Sequence, residues 1–314
     1  MALEMLSACS HRWRTADFYL SCDWQVDSIL PCKGKLPTLE WLKLRGAVCH
    51  KHAQCMFEVA PRLTRAYVGL WTNNHGWILP WTQLTELTLT INDGSIIENG
   101  DVLNLLPMLH NVKELRLRYN DDKMNFEGGF PRFVPTPLNQ LRVLEVPHPA
   151  ILSWFEAPSL CEIYFTDYQY YDEPLDVHGQ ISSLIQRSSC RIRKLSFETG
   201  RKFSVGMLND VEELVVDYRN SRHGGVCPSI DISALPKLRL LNIICSIHED
   251  FESLTNSLTA ALKSARVPTR SECLSSTSLL ERVTVGLQGQ PNIPDRLLKV
   301  ADEWPVVVFR TQCS

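Results

Sequence analysis

One nine-residue phrase returns along the whole chain. LPTLEWLKL (36–44) is followed by APRLTRAYV (60–68), WTQLTELTL (81–89), LHNVKELRL (109–117) and LNQLRVLEV (138–146). APSLCEIYF (157–165), SCRIRKLSF (189–197), LNDVEELVV (208–216), LPKLRLLNI (235–243) and TSLLERVTV (277–285) continue it. Apolar residues hold positions four, seven and nine of each window. RWRTADFYL (12–20) reads as a first and least apolar copy, with Thr15, Phe18 and Leu20 in those places. Positions seven and nine are two residues apart, so their side chains leave an extended strand on one face. A single such strand cannot bury its apolar side alone, whereas a stack of neighbours can.

The fourth-position residues of successive copies lie between 19 and 42 residues apart. Most spacings fall in or near the roughly 20–29 residues of leucine-rich repeats. The fold class expected is therefore α/β: an irregular leucine-rich-repeat solenoid, or horseshoe, of about eleven repeats. Its parallel sheet would line the concave face, with helices or loops on the convex one. At 314 residues the chain exceeds what one compact core usually holds, which suits a single elongated repeat domain. Its parts read as an extension over 1–11, repeats over 12–285, and a C-terminal capping helix and strand over 286–314. Three residues past the ninth position, asparagine stands only at Asn92 and Asn120, so a continuous asparagine ladder is not expected.

Helical spacing appears in several connectors: VLNLLPML (102–109) behind Asp101, ISSLIQRS (181–188), FESLTNSLTAALKSA (251–265) and RLLKVADEW (296–304). VVVFR (306–310) supplies a last strand, and PTRSECLSSTS (268–278) reads as a surface loop. MALEMLSACS has room for at best two helical turns.

A net charge of −3 and the absence of any lysine or arginine run argue against a nucleic-acid surface. No apolar run reaches the roughly 18 residues of a membrane span. LSAC near the start lacks the basic leader and apolar stretch of a signal peptide. Eleven scattered cysteines with no CxxC pair point to free thiols in a reducing compartment, hence to an intracellular protein, cytoplasmic or nuclear.

CHKHAQC (49–55) holds two cysteines and two histidines, all zinc-ligand types. Closed zinc sites usually join ligand pairs from separated segments, so a loop without metal is the expected reading. YVGLWTNNHGWILPW (67–81) offers either an aromatic platform or core residues, and core is expected for Trp81 just ahead of an anchor. Neither G-x-S-x-G nor H-E-x-x-H occurs, and no glycine-rich stretch stands between a strand and a helix as a phosphate loop requires. No catalytic residue, metal or cofactor is expected.

The outward strand residues are the candidate binding set. Position eight gives Tyr19, Lys43, Tyr67, Thr88, Arg116, Glu145, Tyr164, Ser196, Val215, Asn242 and Thr284; flanking positions add Arg45, Arg118, Glu162, Glu198, Glu213 and Asp217. Bases gather early and acids late. Tyrosine and arginine are enriched at binding hot spots. A protein partner is expected on Lys43, Arg45, Tyr67, Arg116, Arg118, Glu145, Glu162, Tyr164, Glu198 and Asp217, and reversing Arg116 and Arg118 to glutamate is expected to weaken its binding while leaving the melting temperature nearly unchanged.

HRWRTADFYL, KGKLPTLEWLKLRG, FEVAPRLTRAYVG, LPWTQLTELTL and FEAPSLCEIYF resemble the leucine-rich region of the F-box protein family of mushroom-forming fungi. The resemblance covers most of the chain and is strongest over 11–165. It implies repeats that select a substrate for a ubiquitin ligase, behind an F-box that docks a Skp-type adaptor of a cullin complex. Nothing before His11 is long enough to be an F-box, so adaptor and cullin are partners only if one lies upstream. The alternative is a free-standing repeat scaffold that binds a protein without ubiquitin chemistry.

Overall fold

A computed structural model describes residues 2–20, 23–46, 55–70, 77–91, 101–119, 134–166, 176–198, 208–218, 232, 235–245, 251–264, 280–288 and 293–312. The chain divides into two compact units, Met1–Val146 with Ser153–Leu160, and Pro147–Leu152 with Cys161–Ser314.

The first unit carries β1 (Thr15–Tyr19), β2 (Trp41–Arg45), β3 (Arg65–Leu70), β4 (Glu86–Ile91), β5 (Glu114–Tyr119) and β7 (Val143–Val146), each parallel to the next. A short parallel pair, β6 (Thr136–Pro137) and β8 (Phe155–Glu156), belongs to the same unit. The second unit stacks β9 (Glu162–Phe165), β10 (Lys194–Glu198), β11 (Glu213–Asp217), β12 (Leu240–Cys245), β13 (Arg282–Gln288) and β14 (Val307–Gln312) in the same parallel manner. Every one of the eleven sequence windows thus carries a strand, and VVVFR falls in a further one, β14. In all windows after the first, positions four, seven and nine are buried; Val112, Leu115 and Leu117 of the LHNVKELRL window are all 0% exposed.

Three local devices join one copy to the next. A turn opens the window: the carbonyl of position one accepts from the amide of position four, at 3.0 Å in Ala60–Leu63 and 3.1 Å in Leu138–Leu141 and Leu235–Leu238. Pro37, Pro61, Pro158 and Pro236 stand second in these turns, where the fixed proline φ is favourable. The residue at position one is itself buried, as Leu36, Ala60, Leu109 and Leu138 show. Next, the carbonyl of position five accepts two successive amides of the following copy. Arg14, Glu40, Thr64, Thr85 and Lys113 do this in the first unit, and Cys161, Arg193, Glu212 and Arg239 in the second, all at 2.8–3.2 Å. Finally, polar side chains at position three reach across. Asn111 donates to the Thr82 carbonyl at 2.6 Å, Gln83 to the carbonyls of Ala60 and Leu63, and Ser159 to that of Asn139. In the second unit Asp210 is held between Arg191 and Lys237 at 3.1 and 2.6 Å. This spine occupies a different position from the asparagine ladder of regular repeats; Asn92 and Asn120 lie outside the described residues.

The first copy is displaced from the sequence reading by two residues. Ala16 and Phe18, not Phe18 and Leu20, pair with Leu42 and Leu44, and the clip carbonyl is that of Arg14. Trp13 therefore takes position four, with its ring 5.7 Å from Phe18, while Thr15 is exposed. Leu20 is buried by a different device: its amide donates to the Arg45 carbonyl at 2.8 Å, and Gly46 (φ +98°) passes so close that a Cβ there would run into the Leu20 carbonyl.

Helices sit in the connectors. α1 (Ala2–Ala8) packs on α2 (Asp23–Ile29) and the 3-10 turn Leu30–Cys32, and the Ser7 hydroxyl donates to the Ser28 carbonyl at 2.7 Å. α3 (Asp101–Leu105) tightens into a 3-10 turn, Leu106–Met108, where Pro107 stands. α4 (Val177–Ser188) is four residues longer than the apolar spacing implies, because the Asp176 carboxylate accepts from the Gly179 amide and caps it. It ends at Ser189 in the left-handed region (φ 52°). α5 (Phe251–Ser264) and α6 (Asp295–Glu303) match their expected segments within a residue. The loop expected over 268–278 lies outside the described residues. Trp77 and Trp81 are core residues, 6% and 8% exposed; Trp77 continues an aromatic row through Phe57 (5.8 Å) to Phe18 (6.0 Å). No helix among the described residues is long and apolar enough to cross a membrane.

Candidate functional site

Alternation along each strand leaves the even positions of the window on the outer face of the sheet. In the first unit that face carries position six (Trp41, Arg65, Glu86, Glu114), position eight (Asp17, Lys43, Tyr67, Thr88, Arg116, Glu145) and position ten (Tyr19, Arg45, Thr90, Arg118). The shifted first register puts Asp17, and not Tyr19, opposite Lys43. The Asp17 carboxylate receives Arg45 at 3.1 Å and Lys43 at 3.9 Å. The Lys43 ammonium also lies 5.0 Å from the centre of the Tyr67 ring, and the Arg45 guanidinium 6.0 Å from that of Tyr19. Tyr67 is oriented at its other end by the Thr90 hydroxyl, which donates to the phenol oxygen at 2.8 Å.

Glu145 differs from the other members of the expected set. It is 4% exposed, and Arg118 grips its carboxylate through two nitrogens at 2.6 and 3.2 Å. Arg116 reaches the same carboxylate at 3.5 Å and Glu114 at 3.2 Å. Burial of a carboxylate needs such pairing, so Glu145 serves to position the two arginines. The expectation that reversing Arg116 and Arg118 leaves the melting temperature nearly unchanged is corrected on this ground: a glutamate at 118 would face a buried like charge.

Between these two clusters lies an open depression of about 230 Å³, lined by Trp41, Lys43, Arg65, Tyr67, Arg116 and Arg118 among others. Arg65 makes no ion pair among the described residues although Glu86 is its strand neighbour, and its guanidinium is available to a ligand. The depression contains a tryptophan, a tyrosine, four cations and the carboxylates of Glu86 and Glu114, groups that stack, form hydrogen bonds and form ion pairs. Trp41, Arg65, Asp17 and Glu114 are absent from the set read in the sequence. The signal for Trp41, Arg65 and Glu114 is present there, two residues before each position-eight residue.

No protein-family model and no curated protein matches this chain.

On the second unit, Tyr164 donates to Glu162 at 2.8 Å, and Lys194 lies 5.7 Å from the Tyr164 ring and 3.0 Å from Glu213. Burial raises the Tyr164 pKa, and the Glu162 carboxylate adds to the effect by accepting a hydrogen bond from the neutral hydroxyl. Burial opposes the charge on Lys194, but the hydrogen bond and charge of Glu213 outweigh it and raise the pKa. Glu213 also accepts from Asn242 at 3.3 Å. This network is satisfied within itself. Glu198 and Asp217 are strand partners at the ends of β10 and β11, and Asp217 is 9% exposed. The structure therefore separates the expected set into four groups: Lys43, Arg45 and Tyr67; Arg116, Arg118 and Glu145; Glu162 and Tyr164; Glu198 and Asp217. Of CHKHAQC only Cys55 lies among the described residues.

Proposed function

We propose that this chain is a non-catalytic protein-binding module, a leucine-rich-repeat solenoid that selects a protein partner as the substrate-recognition part of an F-box-type ubiquitin-ligase receptor. The observation that carries the binding reading is the depression on the first unit, where Trp41 and Tyr67 stand among Lys43, Arg65, Arg116 and Arg118 on one exposed sheet face. Aromatic and arginine side chains of this kind dominate interface energetics. Ion pairs of Lys43 with Asp17, Arg116 with Glu114 and Arg118 with Glu145 hold most of these cations in place, which lowers the entropy lost when a partner docks. Arg65 and Trp41 then supply the contacts to the partner. The ligase part of the reading rests on the family resemblance of the phrases within 11–165.

The test uses Arg65→Glu and Trp41→Ala, neither of which unpairs a buried charge. Affinity capture from the source cells with wild type should retain a partner that both variants lose, while their melting temperatures stay within a few degrees of wild type. Equal retention by all three proteins would place binding elsewhere. Co-capture of a Skp-type adaptor and a cullin with the product of the whole transcript supports the ligase reading. Partner capture without them leaves the scaffold reading in its place.

A further inference from the structure

The side chains of Lys33 and Cys55 come from two different connectors, yet the Lys33 Nζ lies 2.7 Å from the Cys55 Sγ. Sulfur is larger than oxygen, and 2.7 Å is already the short end of the range for a nitrogen–oxygen hydrogen bond. The pair is thus closer than a nitrogen and a sulfur in ordinary contact, and at the separation that one oxygen atom bonded to both would impose. Both side chains hang from anchored backbone. Lys33 follows the 3-10 turn Leu30–Cys32, with its amide on the Leu30 carbonyl at 3.0 Å and Cys32 fully buried beneath it. Cys55 opens a turn closed by Glu58 on its carbonyl, and the next two residues, Met56 and Phe57, are fully buried. Lys33 is exposed and Cys55 half-buried, so a small oxidant reaches both.

We propose that Lys33 and Cys55 are a modification site, joined under peroxide by a reversible nitrogen–oxygen–sulfur bridge that ties the connector before β2 to the connector before β3. The chemistry balances with two molecules of peroxide. The first oxidises the thiol: its O–O bond breaks, S–H becomes S–OH, and one water leaves. The second oxidises the amine, after the ammonium has released its proton to solvent: N–H becomes N–OH and a second water leaves. The two hydroxyl-bearing groups then condense to N–O–S with loss of a third water. The ammonium is held in the starting state chiefly by its hydrogen bond to Cys55, which raises the Lys33 pKa. Oxidation of the thiol to a sulfenic acid replaces that contact and sets the new S–OH group beside the amine. CHKHAQC thereby contributes a redox-active thiol through its last residue, a role that needs none of its zinc-ligand companions.

The experiment takes the purified full chain, treats it with hydrogen peroxide, and reads protease digests by mass spectrometry. A peptide pair joining Lys33 to Cys55 is expected, one oxygen heavier and two hydrogens lighter than the sum of its parts. A thiol reductant should return both peptides unmodified. Lys33→Arg, which keeps the positive charge, and Cys55→Ser should both lack the linked pair. Bridged wild type should also melt at a higher temperature than the reduced protein, with no such difference in Lys33→Arg. Peroxide-treated protein with Cys55 oxidised alone or paired to another cysteine, and Lys33 unmodified, would overturn the proposal. So would an equal melting shift in wild type and Lys33→Arg.

Discussion

At the scale of single residues, facing decides the outcome. Leu115 is 0% exposed, and Leu115→Ala is expected to cost about 2–5 kcal/mol as a buried large-to-small change. Arg116, its neighbour in sequence, points outward, and Arg116→Ala should stay within about 0.5 kcal/mol of wild type. Arg118 is outward too, but Arg118→Ala leaves the buried Glu145 without its bidentate partner and should cost about 1–3 kcal/mol. Urea melts of the three proteins check this order; equal costs for Arg116 and Arg118 would mean that Glu145 does not depend on the pair. Gly46 and Gly34 form a second contrast. Gly34 (φ +72°) has open space where a Cβ would go, so Gly34→Ala carries backbone strain alone, roughly 1–2 kcal/mol. Gly46→Ala adds a collision with the Leu20 carbonyl and should be the more destabilising of the two in the same melts.

At the scale of elements, β1 has one strand partner, β2, among the described residues, whereas β5 lies between β4 and β7. Amides of a strand paired on one side open more readily than those enclosed on both. Hydrogen exchange should show Asp17–Leu20 opening well before Lys113–Leu117, and equal protection would show that β1 is held by something beyond its pairing with β2. The strands are legible in the sequence because positions seven and nine repeat a two-residue alternation ten times over, with leucine, isoleucine, valine or phenylalanine at nearly every place. The first copy misleads. Its true position seven is Ala16, too small to announce itself, so the larger Phe18 and Leu20 draw the pattern two residues downstream. Position one is hidden for a related reason: it is alanine in two copies, tryptophan in another, and shows its role only as the carbonyl that closes a turn. α2 has no counterpart in the sequence reading. The site is half legible, since outward residues follow from the strands, but which of them are already neutralised depends on neighbours some 20–30 residues away in sequence.

At the scale of the molecule, one buried ring sets part of the response to acid. His148, 6% exposed, belongs to the second unit, and burial lowers its pKa from 6.5 to about 4. An unfolded chain takes up the proton near 6.5, while the folded one resists until about 4. The stability this gives is full above the unfolded value and is lost as pH falls through the folded one, a change of about 3 kcal/mol. Urea melts from pH 7 to 4 should therefore fall less steeply in His148→Gln than in wild type, and parallel curves would exclude His148 as the cause.

The paired amides on each position-five carbonyl have a consequence for how such a chain tolerates change in length. Alignment of a strand is set where the strand begins, within a few residues, and does not draw on the path the chain took to arrive. The stretch from Leu238 to Leu280 is more than twice that from Ile192 to Val211, yet Glu281 and Arg282 meet the Arg239 carbonyl at 2.9 and 3.1 Å, as Glu212 and Glu213 meet that of Arg193 at 2.8 and 3.0 Å. Residues added to or removed from a connector should leave both neighbouring strands in place. One residue added inside a window would turn every later side chain of that strand to the wrong face. Descendants of such a chain are free to vary in the spaces between the phrases and bound to keep the phrases at nine letters.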